Sequence, residues 1–200
     1  MICERGYSFM PHSPEQAADW RRPAWIGTLV LASVAFSLGF ACAAPFAAFA
    51  TLAALTMPRR PALALVGLVW FANQAVGFAL LHYPAESIGW GLALGVAAFG
   101  ACFAARAAAG AFSGPEPLRA ALAFLAAFVV YEGALFATAI VSGSGHGAFT
   151  AEIVGRIFAI NAAAALGLLA VDRIGAALGL VIAKDAHAAL LGRGGDAPRA

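Results

Sequence analysis

Six apolar runs, separated by short breaks, limit the possible folds of this chain more than any other feature. Pro, Gly and Ser mark most of the breaks. The runs cover residues 24–43, 45–57, 61–82, 87–109, 118–142 and 150–182. A helix needs roughly 20 apolar residues to cross a bilayer, so five of the runs are long enough. The second run, PFAAFATLAALTM, is short, and we expect it either to thin the bilayer locally or to pack against its neighbours.

Composition places most of these runs in a membrane. Of the 200 residues, 62% are hydrophobic and only 11% are charged, and the mean hydropathy is +0.86. A soluble domain is nearer half apolar and a quarter charged, so the surplus apolar surface must face lipid. The net charge of +2 and the lack of a Lys/Arg-rich run give no reason to expect a nucleic-acid partner. We therefore predict an all-α, polytopic membrane protein, a bundle of six transmembrane helices in a lipid bilayer.

Basic residues alternate between the connections of these six spans. Lys and Arg occur before span 1, between spans 2 and 3, around the link between spans 4 and 5, and after span 6. They are Arg5, Arg21, Arg22, Arg59, Arg60, Arg106, Arg119, Lys184, Arg193 and Arg199. Because short cytoplasmic segments carry the excess of positive charge, both termini are predicted to be cytoplasmic. The predicted organisation is a tail over residues 1–23, a membrane domain over 24–183 and a tail over 184–200.

The first run has a second interpretation. Arg21 and Arg22, the apolar stretch after them and the small residues Ala41-Cys42-Ala43 together resemble a signal peptide with its cleavage site. The apolar stretch of about 18 residues is longer than the roughly 7–15 typical of signal peptides. A retained first span is therefore the favoured prediction.

Polar residues within the spans are concentrated in one half of the bilayer. With a helical rise of about 1.5 Å per residue, the predicted topology places nearly all of them in the outer half. Ionisable residues inside a membrane are costly and usually face a cavity or a partner. We therefore predict a substrate-binding pocket that is open to the outside and closed toward the cytoplasm. Its candidate residues are Asn73, Gln74, His82, Tyr83, Tyr131, Glu132, Arg156 and Asn161.

Each of these residues also has a structural interpretation. Asn73 and Gln74 would serve only as interhelical hydrogen-bonding groups, and Tyr83 would belong to an interfacial aromatic belt. Glu152 and Arg156 are four residues apart on one helix and would neutralise each other. These alternatives fit a non-catalytic accessory or assembly subunit of a larger membrane complex.

Sequence motifs of catalysis are missing. The chain has no GxxxxGK(S/T) phosphate-binding loop, no HExxH and no GxSxG. It is therefore not predicted to be an enzyme, and any ATP hydrolysis would have to come from a partner.

Two segments suggest a family. NQAVGFALLHYP (73–84) and EIVGRIFAIN (152–161), taken with six spans and no ATPase motif, resemble the substrate-binding S components of energy-coupling-factor (ECF) vitamin transporters. Within that family they are most similar to the cobalamin-specific type of proteobacteria. The resemblance implies a multi-pass protein of the bacterial inner (cytoplasmic) membrane that captures a vitamin at the outer face.

The resemblance also implies a ligand and partners. The ligand would be cobalamin or a corrinoid precursor, as a transported molecule rather than a resident cofactor. Import would use an ECF coupling subunit and ATPases, or a separate route in solitary members. Cobalt favours imidazole or thiolate ligands, so His82 and Cys42 are the candidate cobalt ligands of a bound corrinoid.

Overall fold

A computed structural model describes residues 21–39 and 44–177, and within these ranges all regular secondary structure is helical. No β-strand occurs in the described residues, which confirms the predicted all-α class there. Two short 3₁₀ helices, Ala85–Ser87 and His146–Phe149, lie in the connections before the fourth and sixth α-helices. The α-helices of the described residues are α1 (Arg21–Gly39), α2 (Phe46–Thr56), α3 (Arg59–Ala79), α4 (Ile88–Ala111), α5 (Glu116–Ser142) and α6 (Ala151–Ala177).

Four of these segments are long and apolar enough to cross a membrane: residues 59–79, 85–111, 116–142 and 151–177. Large apolar side chains are exposed on every helix except α2, a surface that a soluble monomer rarely shows. The protein is therefore an integral membrane protein. The number of six membrane crossings and the cytoplasmic location of both termini remain predictions. Residues 1–20 and 178–200, which include most of both predicted tails, lie outside the described residues. Helix α1 begins at Arg21, within the segment predicted as the first tail.

The short helix α2 forms the centre of the bundle. Its nine residues from Phe46 to Ala54 are all buried, and it packs against α3, α4, α5 and α6. A helix that is apolar on all sides is stable when protein surrounds it completely. At about 1.5 Å per residue, its 11 residues span roughly 16 Å, about half of a hydrocarbon core of roughly 30 Å. The short second run thus packs against its neighbours, one of the two outcomes expected for it.

Polar contacts from two other helices hold the ends of α2. At its start, the backbone N–H of Ala48 donates to Asn161 Oδ1 on α6 (3.3 Å). At its end, Arg106 Nη2 on α4 donates to the carbonyl oxygen of Met57 (2.8 Å). The residue before α2 is Pro45, which provides no side-chain cap. The Ala48 N–H also donates to the Pro45 carbonyl oxygen (3.0 Å), so Asn161 adds a second acceptor there. Arg106 supplies a donor at the other end, where the last carbonyl groups of a helix lack partners within the helix.

Arginines mark one end of the bundle, which we call the basic end. Arg59 at the start of α3 lies over the ring of Phe103 near the end of α4, 5.5 Å from its centroid. Arg173 near the end of α6 pairs with Glu116 at the start of α5. Because Arg106 binds the last turn of α2, α2 fills the half of the bundle at the basic end. The other end, formed by residues 80–87 and 143–150, is called the loop end.

Candidate functional site

A cavity of about 320 Å³ lies in the loop-end half of the bundle, beyond the first turn of α2. Helices α4, α5 and α6 form its walls, Ala44 before α2 contributes to its floor, and the segment 145–149 closes it at the loop end. We call it the Tyr131 cavity. Its lining residues are Ala44, Trp90, Leu94, Tyr131, Glu132, Leu135, Gly145, Ala148, Phe149, Ile157 and Asn161.

Tyr131 is one of the polar residues that line this cavity. The residue is only 5% exposed, and its ring packs against that of Phe46 with centroids 5.9 Å apart. A tyrosine hydroxyl both donates and accepts hydrogen bonds. It is therefore a candidate group for contact with a bound molecule.

Glu132, the next residue along α5, places a carboxylate at the same cavity. Its side chain is half-buried, and Oε1 is fully buried without a hydrogen-bond partner among the described residues. The first turn of α2 begins next to Ala44 in the same cavity, and the N-terminus of a helix carries partial positive charge. That end favours negative charge in the cavity, on Glu132 or on a ligand. Half-length helices whose N-termini reach mid-membrane sites are a recurring feature of transporter binding sites.

Asn161, the third predicted residue at this cavity, has its amide engaged within the protein. It is 2% exposed, its Oδ1 accepts the N–H of Ala48, and its Nδ2 donates to the carbonyl oxygen of Ile157 (3.0 Å). Asn161 thus fixes the position of α2 against α6. At the cavity, Asn161 therefore forms part of the wall.

Asn73 and Gln74 do not line the Tyr131 cavity. The hydroxyl of Ser37 on α1 donates to Asn73 Oδ1 (3.0 Å), whereas Gln74 Nε2 donates to the carbonyl oxygen of Gly91 on α4 (3.1 Å). The two amides therefore point to different neighbours of α3. Their contacts are those of the structural alternative, hydrogen bonds between helices.

His82 and Tyr83 lie at the loop end, outside the cavity lining. His82 is exposed and has a positive φ of 54°, where the chain turns after α3 and the Tyr83 N–H donates to the carbonyl oxygen of Gly77 (3.0 Å). The Tyr83 ring packs back over Gly77, where an added Cβ would lie 2.7 Å from it. Both residues thus close the end of α3.

Arg156 and the proposed cobalt ligands are not brought to the cavity either. Arg156 is exposed, and no ion pair joins it to Glu152, so the neutralising pair is not formed. Cys42 lies outside the described residues. Within residues 21–39 and 44–177, no three His, Cys, Asp or Glu side chains form a group that could hold a metal ion. A single imidazole ligand from His82 stays a prediction.

Sequence reasoning missed the aromatic and glycine residues that close the cavity. Gly145 has a positive φ of 80°, and a Cβ at this position would lie 2.9 Å from the Trp90 ring. Phe149 packs edge-on against Phe136 of α5, with centroids 5.2 Å apart. The available signal was the glycine-rich loop SGSGHGAF next to a span, since a tightly turning loop close to an aromatic residue favours glycine.

The chain matches no protein-family model, no curated protein and no solved structure. The resemblance to S components therefore depends on two short motifs and the helix layout. EIVGRIFAIN forms the first part of α6 and reaches the Tyr131 cavity through Ile157 and Asn161. NQAVGFALLHYP forms the end of α3 and the connection after it, outside the lining of that cavity.

Proposed function

We propose that this protein is a membrane-embedded substrate-binding subunit for vitamin uptake, and that its ligand binds in the Tyr131 cavity. The observation that carries the proposal is Glu132 Oε1, a buried carboxylate oxygen without a hydrogen-bond partner among the described residues, at a cavity that Tyr131 also lines. Such groups are especially costly inside a bilayer. A bound ligand would form the hydrogen bonds with such groups that the protein itself does not provide.

The proposed direction of binding follows from α2. This helix fills the basic-end half of the bundle, whereas the cavity lies in the loop-end half. If basic residues face the cytoplasm, the cavity belongs to the outer half of the membrane. Import would then require a coupling subunit and ATPases, or a solitary route, because the chain has no phosphate-binding loop of its own.

Cavity chemistry favours a flat, partly polar ligand. Trp90 and Phe149 offer aromatic surfaces for stacking, and Glu132 offers an acceptor to a ring N–H, amino or hydroxyl group. A volume of about 320 Å³ is at the lower end of the roughly 300–1,000 Å³ of pockets for drug-sized ligands. A corrinoid is considerably larger. Binding of cobalamin or a corrinoid precursor would therefore require residues 143–150 to move away from the bundle.

Ligand titration tests this function. We expect the purified full-length protein in detergent to bind one vitamin in calorimetric titrations with cobalamin, a cobalamin precursor, riboflavin and thiamine. Tyr131→Phe removes only the hydroxyl and should weaken binding about 2–10-fold, the value of one neutral hydrogen bond. Glu132→Gln should weaken it by about tenfold or more, because hydrogen bonds to charged groups are stronger.

Glu152→Gln is the matched control, since Glu152 is exposed on α6 outside the cavity and its replacement should leave the affinity unchanged. Absence of binding to all four vitamins would refute the proposed ligand class. Equal affinities of wild type, Tyr131→Phe and Glu132→Gln would refute the proposed site.

One observation favours the second candidate function, an accessory or assembly subunit of a larger membrane complex. Asn73, Gln74 and Asn161 use their amides to join helices, as that function requires. Under this alternative, Gln74→Leu would reduce the yield of folded protein, and Tyr131→Phe would change nothing. Under the vitamin-binding proposal, Tyr131→Phe would lower ligand affinity without changing the yield.

A further inference from the structure

A second cavity, a groove of about 590 Å³, separates α5 from α6 at the basic end. Its walls are mainly apolar and include Ala121, Phe124, Ala162 and Leu166. Leu166 is 72% exposed, so the groove opens sideways, toward lipid. It is distinct from the Tyr131 cavity, with which it shares no lining residue.

The groove extends from the basic end along two helices. On α5 it runs from Glu116 to Leu125 and on α6 from Phe158 to Arg173, about 14 and 22 Å at 1.5 Å per residue, both shorter than a hydrocarbon core of roughly 30 Å. The Phe158 ring lies at its inner end, where it contacts the rings of Phe124 and Phe128 with centroids 5.5 and 5.0 Å away. A groove of this length matches an acyl chain of the leaflet at the basic end.

The mouth of the groove is positively charged. Arg119 and Arg173 lie there together with one acidic residue, Glu116. Glu116 pairs with Arg173, which leaves the charge of Arg119 uncompensated within the mouth. The Nε of Arg119 is buried and has no hydrogen-bond partner among the described residues. Basic pockets between transmembrane helices are typical binding sites of anionic lipid headgroups, and guanidinium groups bind phosphate strongly.

We propose that this groove binds an anionic glycerophospholipid, with its phosphate at Arg119 and one acyl chain along Ala121, Ala162 and Leu166. Charge complementarity at the mouth, together with an apolar groove shorter than the hydrocarbon core, supports a lipid as the occupant.

Lipid titration of the purified full-length protein in detergent tests this proposal. The probes are phosphatidylglycerol and phosphatidylcholine with identical acyl chains, and binding is measured by native mass spectrometry. Phosphatidylglycerol should bind about fivefold more tightly, because one arginine near an anionic lipid contributes about 1 kcal/mol. The preference should decrease as ionic strength rises.

Matched variants separate the headgroup from the acyl chain. Arg119→Gln should remove the preference for phosphatidylglycerol, whereas Arg60→Gln, at an exposed arginine of the same end outside the groove, should retain it. Ala121→Trp fills the groove from an exposed wall position and should weaken binding of both lipids. Ala107→Trp, at an exposed alanine of α4 outside the groove, should leave binding unchanged.

Three results would overturn the proposal. The first is equal affinity of the wild-type protein for the two lipids at low salt, a measurement that needs no variant. The second is a preference for phosphatidylglycerol that survives Arg119→Gln in a protein that melts like wild type. The third is a dimer of the wild-type protein that Ala121→Trp dissociates, because a second copy would then occupy the groove.

Discussion

Gly145 offers the sharpest test of how the Tyr131 cavity is closed. Its φ of 80° lies in the left-handed region, and an added Cβ would lie 2.9 Å from Cζ2 and 3.1 Å from Cη2 of Trp90. Gly145→Ala therefore adds two unfavourable effects, backbone strain and a clash with an aromatic ring of the cavity. Gly147, two residues later in the same loop, has no positive φ, and a Cβ there would have no neighbour within 4 Å.

The expected change in stability follows from these two effects. A left-handed conformation costs an alanine about 1–2 kcal/mol, and displacing a packed side chain costs about 1–3 kcal/mol. The lower entropy of the unfolded alanine chain offsets about 0.4–1 kcal/mol. Gly145→Ala should therefore lower the free energy of unfolding by about 1–5 kcal/mol. Gly147→Ala, with the entropic effect alone, should raise it by up to about 1 kcal/mol.

Chemical unfolding of the purified variants in mixed micelles, followed by tryptophan fluorescence, measures both changes. The two substitutions add the same methyl group two residues apart, so only the local geometry distinguishes them. Because Trp90 lines the cavity, Gly145→Ala should also weaken binding of any ligand identified by titration. Equal stability of the two variants would show that Gly145 does not adopt this conformation against Trp90, and would refute the described closure of the cavity.

Two further substitutions test the packing of the bundle. Arg106→Ala leaves the last carbonyl of α2 without its charged donor and should lower the free energy of unfolding by about 1.5–3 kcal/mol, whereas Arg60→Ala, at an exposed residue, should change it by less than about 0.5 kcal/mol. Gly77→Ala places a Cβ 2.7 Å from the Tyr83 ring and should lower stability by about 1–3 kcal/mol. Gly89→Ala, with open space around its Cβ in α4, should raise it by up to about 1 kcal/mol. Micelle unfolding curves measure all four variants.

Each of these pairs has an outcome that contradicts the structure. If Arg106→Ala were as stable as Arg60→Ala, the contact between α4 and the end of α2 would not exist in solution. If Gly77→Ala were as stable as Gly89→Ala, the Tyr83 ring would not cover α3.

Helix positions were predictable because the chain marks its own breaks. The run 45–57 became Phe46–Thr56, and the run 87–109 became Ile88–Ala111, since Pro and turn residues end a helix whatever surrounds it. The central place of α2 was not predictable in the same way. An evenly apolar helix suits lipid and protein interior equally, so composition does not say which of the two surrounds it.

The candidate site was predictable in depth but not in direction. Residue number along a span gives depth through the helical rise, which placed Tyr131, Glu132 and Asn161 in the same half of the bilayer, and these three residues line one cavity. Asn73 and Gln74 fall at a similar depth, yet they face α1 and α4. The direction in which a side chain points depends on how the helices are arranged around one another. The residue spacing within a single span does not reveal this arrangement.

The half-length of α2 links these observations. A full-length central helix would have filled both halves of the bundle, but α2 ends at Arg106 on one side and begins at Asn161, near mid-membrane, on the other. The space beyond its first turn is therefore left to the side chains around it, and one of these, Glu132, has a carboxylate oxygen without a partner among the described residues. A chain selected only for stable packing would have filled this space with apolar side chains, because an apolar core is more stable than a partly satisfied polar one. Under the proposed function, a bound molecule would supply the hydrogen-bond partner that Glu132 lacks.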